Sequence, residues 1–181
     1  GLGTRLSELT KTIPKPMVKV AGHPIIIHII SHYLKYGLNK FYIAAGYKGY
    51  IIKKYFKNYR KNGEFFRHKI FNKACNIAIV DTGLNTLTGG RLKRLEKYID
   101  KNENFLFTYG DGISSVNIKE LIKFHNKKKK VITVTAVRPP ARFGELVIKK
   151  NVVTSFKEKP QTNKGWINGG FFVANKSFLK F

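Results

Sequence analysis

Three short apolar runs, each ending at a glycine or a polar turn, constrain the fold most. Phe41-Tyr42-Ile43-Ala44-Ala45 stops at Gly46, and Ile77-Ala78-Ile79-Val80 gives way to Asp81-Thr82-Gly83. Phe105-Leu106-Phe107-Thr108-Tyr109 runs straight into Gly110-Asp111-Gly112. Continuous apolar runs this short, without alternation, read as strands covered on both faces. Between them the spacing is helical. Ile25, Ile26, Ile29, Ile30, Tyr33 and Leu34 form one stripe, with Pro24 where a first helical position falls and Gly37 ending it. Tyr50, Ile51, Lys54, Tyr55 and Phe56 predict a second helix with a broad aromatic face. Thr88 can cap a third, whose Leu92, Leu95, Tyr98 and Ile99 share one side. Asn117 caps a fourth, carrying Ile118, Leu121, Ile122 and Phe124.

The period then changes. Residues 131–137 alternate as a strand, and Leu146-Val147-Ile148 and Val152-Val153-Thr154 flank Lys149-Lys150-Asn151 as a hairpin. A last strand covers 170–173 after Asn168-Gly169. Helix-linked strands followed by hairpin strands predict an α/β, Rossmann-like fold with a mixed, mostly parallel sheet flanked by helices. Ligands of such folds sit at the carboxyl ends of the strands. No internal repeat or flexible linker divides the 181 residues, so a single domain over 1–181 is expected. The chain opens at Gly1 inside a glycine-rich turn with no strand before it, and stops at Phe181 just after an apolar stretch begins. It reads as a fragment truncated at both ends.

With 43% hydrophobic and 25% charged residues, the composition excludes a disordered chain. No apolar run approaches the ~18 residues of a membrane span, and His28 interrupts the Ile25–Ile30 patch. The single cysteine, Cys75, excludes a disulfide framework within the chain and points to a reducing, cytoplasmic setting. A net charge of +25 would ordinarily argue for nucleic acid. Here the lysines are scattered, with Lys127–Lys130 the one block, and they outnumber the arginines, which are the better base readers. Lys, Asn, Ile, Phe and Tyr are also abundant together, and all five have AT-rich codons. The charge is therefore a basic background that attracts polyanions, nucleotides included, without a specific nucleic-acid partner.

Several motifs can carry chemistry. Gly1-Leu2-Gly3-Thr4-Arg5 is either an ordinary turn or an anion nest, with Arg5 as a fork for phosphate oxygens. It matches neither the Walker nor the dinucleotide spacing. Lys15, in Pro14-Lys15-Pro16-Met17, is held in an extended segment by its prolines, as a stiff surface loop or as a cation aimed at one anion. Aspartate is scarce: Asp81, Asp100 and Asp111 are the three. Asp111 stands at a strand end between two glycines, as a turn residue or as the carboxylate of a Mg²⁺ site, since that ion takes one or two carboxylates plus phosphate oxygens. Lys159, in Glu158-Lys159-Pro160, is one more lysine or a second phosphate cation. Gly89-Gly90 can expose N–H groups at a helix start, with Arg91 facing a ligand. His28 and His32 stand at a metal-ligand spacing without a third ligand, and Cys75 carries no mark of an activated thiol.

Taken together, these motifs resemble those of the sugar-1-phosphate nucleotidyltransferases. Gly1 to Leu6 looks like the tail of their glycine-rich signature, and Pro14 to Met17, Tyr109-Gly110-Asp111 and Glu158-Lys159-Pro160 follow in the family's order. Within the family the chain is most similar to the branch that joins CTP and α-D-glucose 1-phosphate into CDP-glucose and pyrophosphate. The matching stretches are Gly46-Tyr47-Lys48-Gly49-Tyr50, Val80 to Gly83, Thr88 to Arg94, Phe105 to Gly112, Arg142-Phe143-Gly144 and Ile167 to Phe172. The resemblance implies the nucleotidyltransferase fold and a soluble enzyme that feeds deoxysugar synthesis for surface polysaccharides such as O-antigen lipopolysaccharide. Arg5 and Lys15 would be the catalytic cations. Gly1, Leu2, Gly3, Thr4, Arg5, Lys15, Thr86, Arg91 and Gly110 would contact the nucleotide, Lys159 would hold the sugar phosphate, and Asp111 would bind Mg²⁺. Two departures are expected. Residues 63–76 are shorter than the family's insertion there, and the family's second metal-binding aspartate falls beyond Phe181. A relative that uses UTP or dTTP, or a basic fragment that binds polyanions, are the alternative readings. A homo-oligomer is compatible with the sequence, which fixes no oligomeric state.

Overall fold

The computed structural model describes residues 12–57, 61–99, 104–139, 145–157 and 165–181. Its central element is helix α1 (Ile25–Leu34), in which Ile25, Ile26, Ile27, Ile29, Ile30, Tyr33 and Leu34 are all buried. A helix apolar around most of its circumference must be covered on more than one side, and α1 packs into two separate cores. Ile26, Ile27, Ile30 and Leu34 join a cluster with Ala45, Ile52, Phe56, Ile70, Cys75, Ile77 and Ile79. Ile25, Ile29 and Tyr33 join another with Ile118, Leu121, Phe171 and Val173. Pro24 is the residue before the helix rather than its first turn, extended at ψ 143°, and it closes the two-residue ladder of β1 (Lys19–Val20) with β2 (His23–Pro24).

The first core lies under a sheet of β3 (Lys40–Ala45), β4 (Phe65–Ile70) and β5 (Lys73–Asp81), in the order β3-β5-β4. β3 runs parallel to β5, and Ala45 faces Asp81 across the ladder, so both strands end at the same edge. α2 (Gly49–Tyr55) follows β3 and buries Ile52, with Phe56 just beyond it. α3 (Thr88–Arg94) follows β5. The second core lies against β6 (Asn104–Thr108), which leads to α4 (Ile118–Lys128) and then β7 (Ile132–Val137). β8 (Glu145–Lys149) and β9 (Val152–Lys157) form a hairpin of their own, and β10 (Ile167–Asn175) inserts between β6 and β7, antiparallel to both.

The α/β class, the mixed pairing and the flanking helices agree with expectation. The share of parallel pairing is lower: among the described residues, β3–β5 is the one parallel ladder. Two features account for this. β10 returns between β6 and β7, and β4 forms a hairpin with β5 that the apolar pattern does not announce. Its turn is Phe71-Asn72, both at positive φ, a conformation in which phenylalanine is unusual. Other differences are local. α3 ends at Arg94 and passes into a 3₁₀ turn at Glu96–Tyr98, with Leu87, not Thr88, as its cap residue; Gly89 and Gly90 weaken it as a helix. On α2 the tyrosines are exposed and the aliphatic side carries the burial. On α4 the buried line is Ile118, Leu121 and His125, and Phe124 faces out beneath the Lys128 ammonium. The Asn117 cap forms as expected, its Oδ1 accepting from Glu120 N at 3.2 Å, and the 149–151 hairpin turn forms with Lys150 and Asn151 at positive φ.

Candidate active site

The end of β6 is locked before it reaches Asp111. Thr108 Oγ1 donates to Gly170 O at 2.7 Å. The Tyr109 ring meets Phe172 edge-on at 5.8 Å, and its hydroxyl accepts from Asn168 Nδ2 at 2.9 Å. Asn168 is itself pinned, its Oδ1 accepting from Gly170 N at 2.8 Å. The next residue is Gly110 for steric reasons: a Cβ there would lie 2.8 Å from Pro16 Cγ. This close approach lays the Pro14–Met17 segment against the strand end.

Lys15 is not in extended backbone, as its two prolines predict, but begins a 3₁₀ turn, Lys15–Met17. Pro14 is extended, and its carbonyl accepts from Met17 N at 2.8 Å, closing the turn over Pro16. The missing N–H of Pro16 is one that a first turn leaves unpaired anyway. Met17 is buried and anchors the turn. The result is a direct pairing of two sequence-predicted residues: Lys15 Nζ lies 3.2 Å from Asp111 Oδ2, with the two side chains 27% and 37% exposed. Both charges are reachable from solvent at the carboxyl end of a strand.

A second group of expected residues gathers at the shared end of β3 and β5. Arg91 Nη1 donates to Thr82 Oγ1 at 2.7 Å and to Ala45 O at 3.3 Å, and Nη2 donates to Leu84 O at 3.1 Å. The guanidinium lies over Gly46, where a Cβ would come within 2.1 Å of Nη1. Thus Arg91 organises the loop before α3 as well as bordering it. Thr86 folds back on that loop, its Oγ1 2.9 Å from where a Gly83 Cβ would stand. Two clefts open beside this edge. One, of about 250 Å³, is lined by Gly46, Lys48, Lys53 and Asp81, and the other, of about 400 Å³, by Asp81, Lys93, Arg94 and Tyr98. Neither of these two clefts is lined by Lys15 or Asp111.

The donor set fits a hydrated, hard divalent ion. Asp111 offers one oxygen-donor carboxylate, and among the described residues nothing lies within 4 Å of where a Gly112 Cβ would stand. Among the described residues no three His, Cys, Asp or Glu side chains form a cage, so phosphate oxygens and water would complete the sphere. The His28 and His32 pair goes elsewhere, each Nε2 2.8 Å from a main-chain oxygen, of Val20 and Val116. Cys75 is buried, and burial pushes its thiol up, away from thiolate chemistry. Gly1, Leu2, Gly3, Thr4, Arg5 and Lys159 lie outside the described residues. Sequence reasoning missed Thr82 and Arg94 as individual residues. Arg94 alone had a signal, its three-residue spacing from Arg91, which puts both on one side of a helix.

A family model described as nucleotidyl transferase matches residues 1–181. The chain belongs to that family. It is 47% identical over 190 aligned residues to the glucose-1-phosphate cytidylyltransferase of Salmonella typhimurium, covering 99% of this chain and 74% of the relative. Among solved structures, the nucleotidyl transferase fold described above is similar to HddC from Yersinia pseudotuberculosis complexed with GMP-PN, at 26% identity and a TM-score of 0.66, covering 99% of this chain and 75% of that one. It also superposes on the UTP-bound UGPase of Acinetobacter baumannii with a TM-score of 0.71 at 15% identity, over 99% and 73% of the two chains. No helix among the described residues is long and apolar enough to cross a membrane.

Proposed function

We propose that this nucleotidyl transferase moves the cytidylyl group of CTP onto α-D-glucose 1-phosphate, giving CDP-glucose and pyrophosphate. The observation that carries the reading is the Lys15–Asp111 pair at the carboxyl end of β6, in a chain 47% identical to a glucose-1-phosphate cytidylyltransferase. The attacking group is a phosphate oxygen of the sugar phosphate, already an anion at neutral pH. It attacks the α-phosphorus in line, the α–β phosphoanhydride bond breaks, and pyrophosphate leaves. No proton has to be removed, so no general base is needed. What the protein must do is align two mutually repelling anions and offset their charge.

The residues divide that work. Lys15, on its rigid turn, presents an ammonium to the oxygens around the reacting phosphorus. Asp111 would hold Mg²⁺, which when bound supplies charge neutralisation of the triphosphate. Gly1 to Arg5 and Gly110 would lie along the nucleotide, Thr86 and Arg91 would border it at the β5 edge, and Lys159 would hold the sugar phosphate. The setting is the cytoplasm, in keeping with the single thiol, and the product would enter surface-polysaccharide synthesis. An omission assay on the whole protein tests the reading. Pyrophosphate release should require CTP, glucose 1-phosphate and Mg²⁺ together. Release from CTP without the sugar phosphate would replace transfer with hydrolysis and defeat the proposal.

A further inference from the structure

Two arginines one helical turn apart converge on a single buried threonine at the end of β5. Thr82 is fully buried. Its N–H donates to Ala45 O at 2.8 Å, and its hydroxyl donates to the same oxygen at 2.7 Å. That hydroxyl accepts from Arg91 Nη1 at 2.7 Å, and the Thr82 carbonyl accepts from Arg94 Nη1. Every polar atom of Thr82 is therefore bonded, to β3 on one side and to α3 on the other. The 83–87 loop is strung from this point, at the end of β5, to the start of α3.

We propose that Thr82 and Arg94 are positioning residues that set this loop, and through it the places of Thr86 and Arg91, for the nucleotide. The proposal rests on the nucleotidyl-transfer reading above. The geometry around Gly83 shows how the clamp reaches Thr86. Gly83 has φ +83°, and a Cβ on it would come within 2.5 Å of Arg94 Nη1 and 2.9 Å of Thr86 Oγ1. Arg94 and Thr86 thus close over the same bare backbone. Thr86 is bounded from the other direction by Gly90, whose missing Cβ would lie 2.9 Å from Thr86 Cγ2. The turn itself is capped by Asp81, whose Oδ1 accepts from Gly83 N at 2.9 Å. Arg94 spans from α3 to the Thr82 carbonyl with a planar, multiply donating head that a lysine lacks. Thr86 is thereby packed between the Gly83 backbone, which Arg94 also covers, and Gly90.

The test uses the whole protein with Thr82→Val, which keeps the shape and loses the hydroxyl, Thr82→Ser, which keeps it, and Arg94→Met. Amide hydrogen exchange over 83–90 is measured with steady-state kinetics in each substrate. Thr82→Val and Arg94→Met should speed exchange within 83–90 and raise the CTP KM by about tenfold, the scale of one buried hydrogen bond. The glucose 1-phosphate KM and kcat should stay within about twofold, and Thr82→Ser should match the wild type. If Thr82→Val fails to fold, the exposed Arg94 carries the same test. Unchanged exchange over 83–90, or an equal rise in both KM values, overturns the proposal. Wild-type protein that cannot use CTP, with exchange still loosened by Thr82→Val, overturns the functional reading and upholds the clamp.

Discussion

At the level of single residues, the two side chains with the strongest sequence signals are the two that meet. Lys15 was legible because prolines flank it, and Asp111 because aspartate is scarce and a strand leads into it. Their 3.2 Å pairing is exposed enough that it contributes little to stability, so its removal should be read in activity. Lys15→Ala should lower turnover by roughly 10²-fold or more, the scale for one preorganised charge donor, with the melting temperature nearly unchanged. Lys128→Ala, which removes an ammonium stacked over the exposed Phe124 ring, should leave turnover as it was. Equal effects from the two would mean that Lys15 acts only as part of the basic background. Asp111→Asn keeps the shape and removes the charge, so turnover should fall with the fold intact and recover partly as Mg²⁺ is raised. Wild-type turnover of Asp111→Asn at limiting Mg²⁺ would remove Asp111 from the site. Thr82 was not legible, because its hydroxyl acceptor lies 37 residues away in sequence, and no local pattern encodes a contact of that separation.

Among the elements, the helices and buried strands were read from periodicity, and the errors fall where periodicity carries little. β4 is half-polar, and its turn at Phe71-Asn72 lacks a glycine. The Lys15 turn is 3₁₀ because two main-chain bonds, Met17 N to Pro14 O and Val18 N to Lys15 O, outweigh the extended bias of a residue before proline. Gly110 is the contact point of that turn with β6. Gly110→Ala should force Pro16 away and reduce kcat far more than it lowers the melting temperature; an unchanged kcat would detach the turn from the chemistry. α4 carries a pH dependence. His125 is 3% exposed, with Nδ1 2.8 Å from Thr133 Oγ1, and burial pushes its pKa below the usual imidazole value. The unfolded chain takes up a proton near pH ~6.5 while the folded chain stays neutral, so the unfolded state binds more protons as the pH drops. Stability is then full above that pH and declines toward the depressed folded value. His68, shifted the same way by burial, adds a term of the same sign. Melting temperature should fall from neutral pH toward pH ~5, with a shallower slope in His125→Gln; identical slopes would contradict the assignment.

For the whole molecule, two properties pull toward different partners: a net charge of +25 and a nucleotidyl transferase fold. Scattered lysines act on polyanions through counterion release. Binding to two unrelated DNA duplexes should therefore be equal in strength and collapse together as salt is raised. Sequence-dependent affinity that survives high salt would restore a nucleic-acid role. The α/β class was legible because strand runs and helical stripes alternate in the first two thirds of the chain. The antiparallel return of β10 between β6 and β7 was not, since strand order depends on contacts far apart in sequence. The choice of base is the part that fold and charge leave most open, since the same architecture is seen with UTP in one solved structure and with GMP-PN in another. The most direct measurement is therefore kcat/KM for pyrophosphate release by the whole protein with glucose 1-phosphate, Mg²⁺ and each of CTP, UTP, dTTP and GTP. The account predicts that CTP is preferred over all three others and that CDP-glucose accumulates with the pyrophosphate. Preference for UTP, dTTP or GTP would contradict it, leaving the family and refuting the cytidylyl reading.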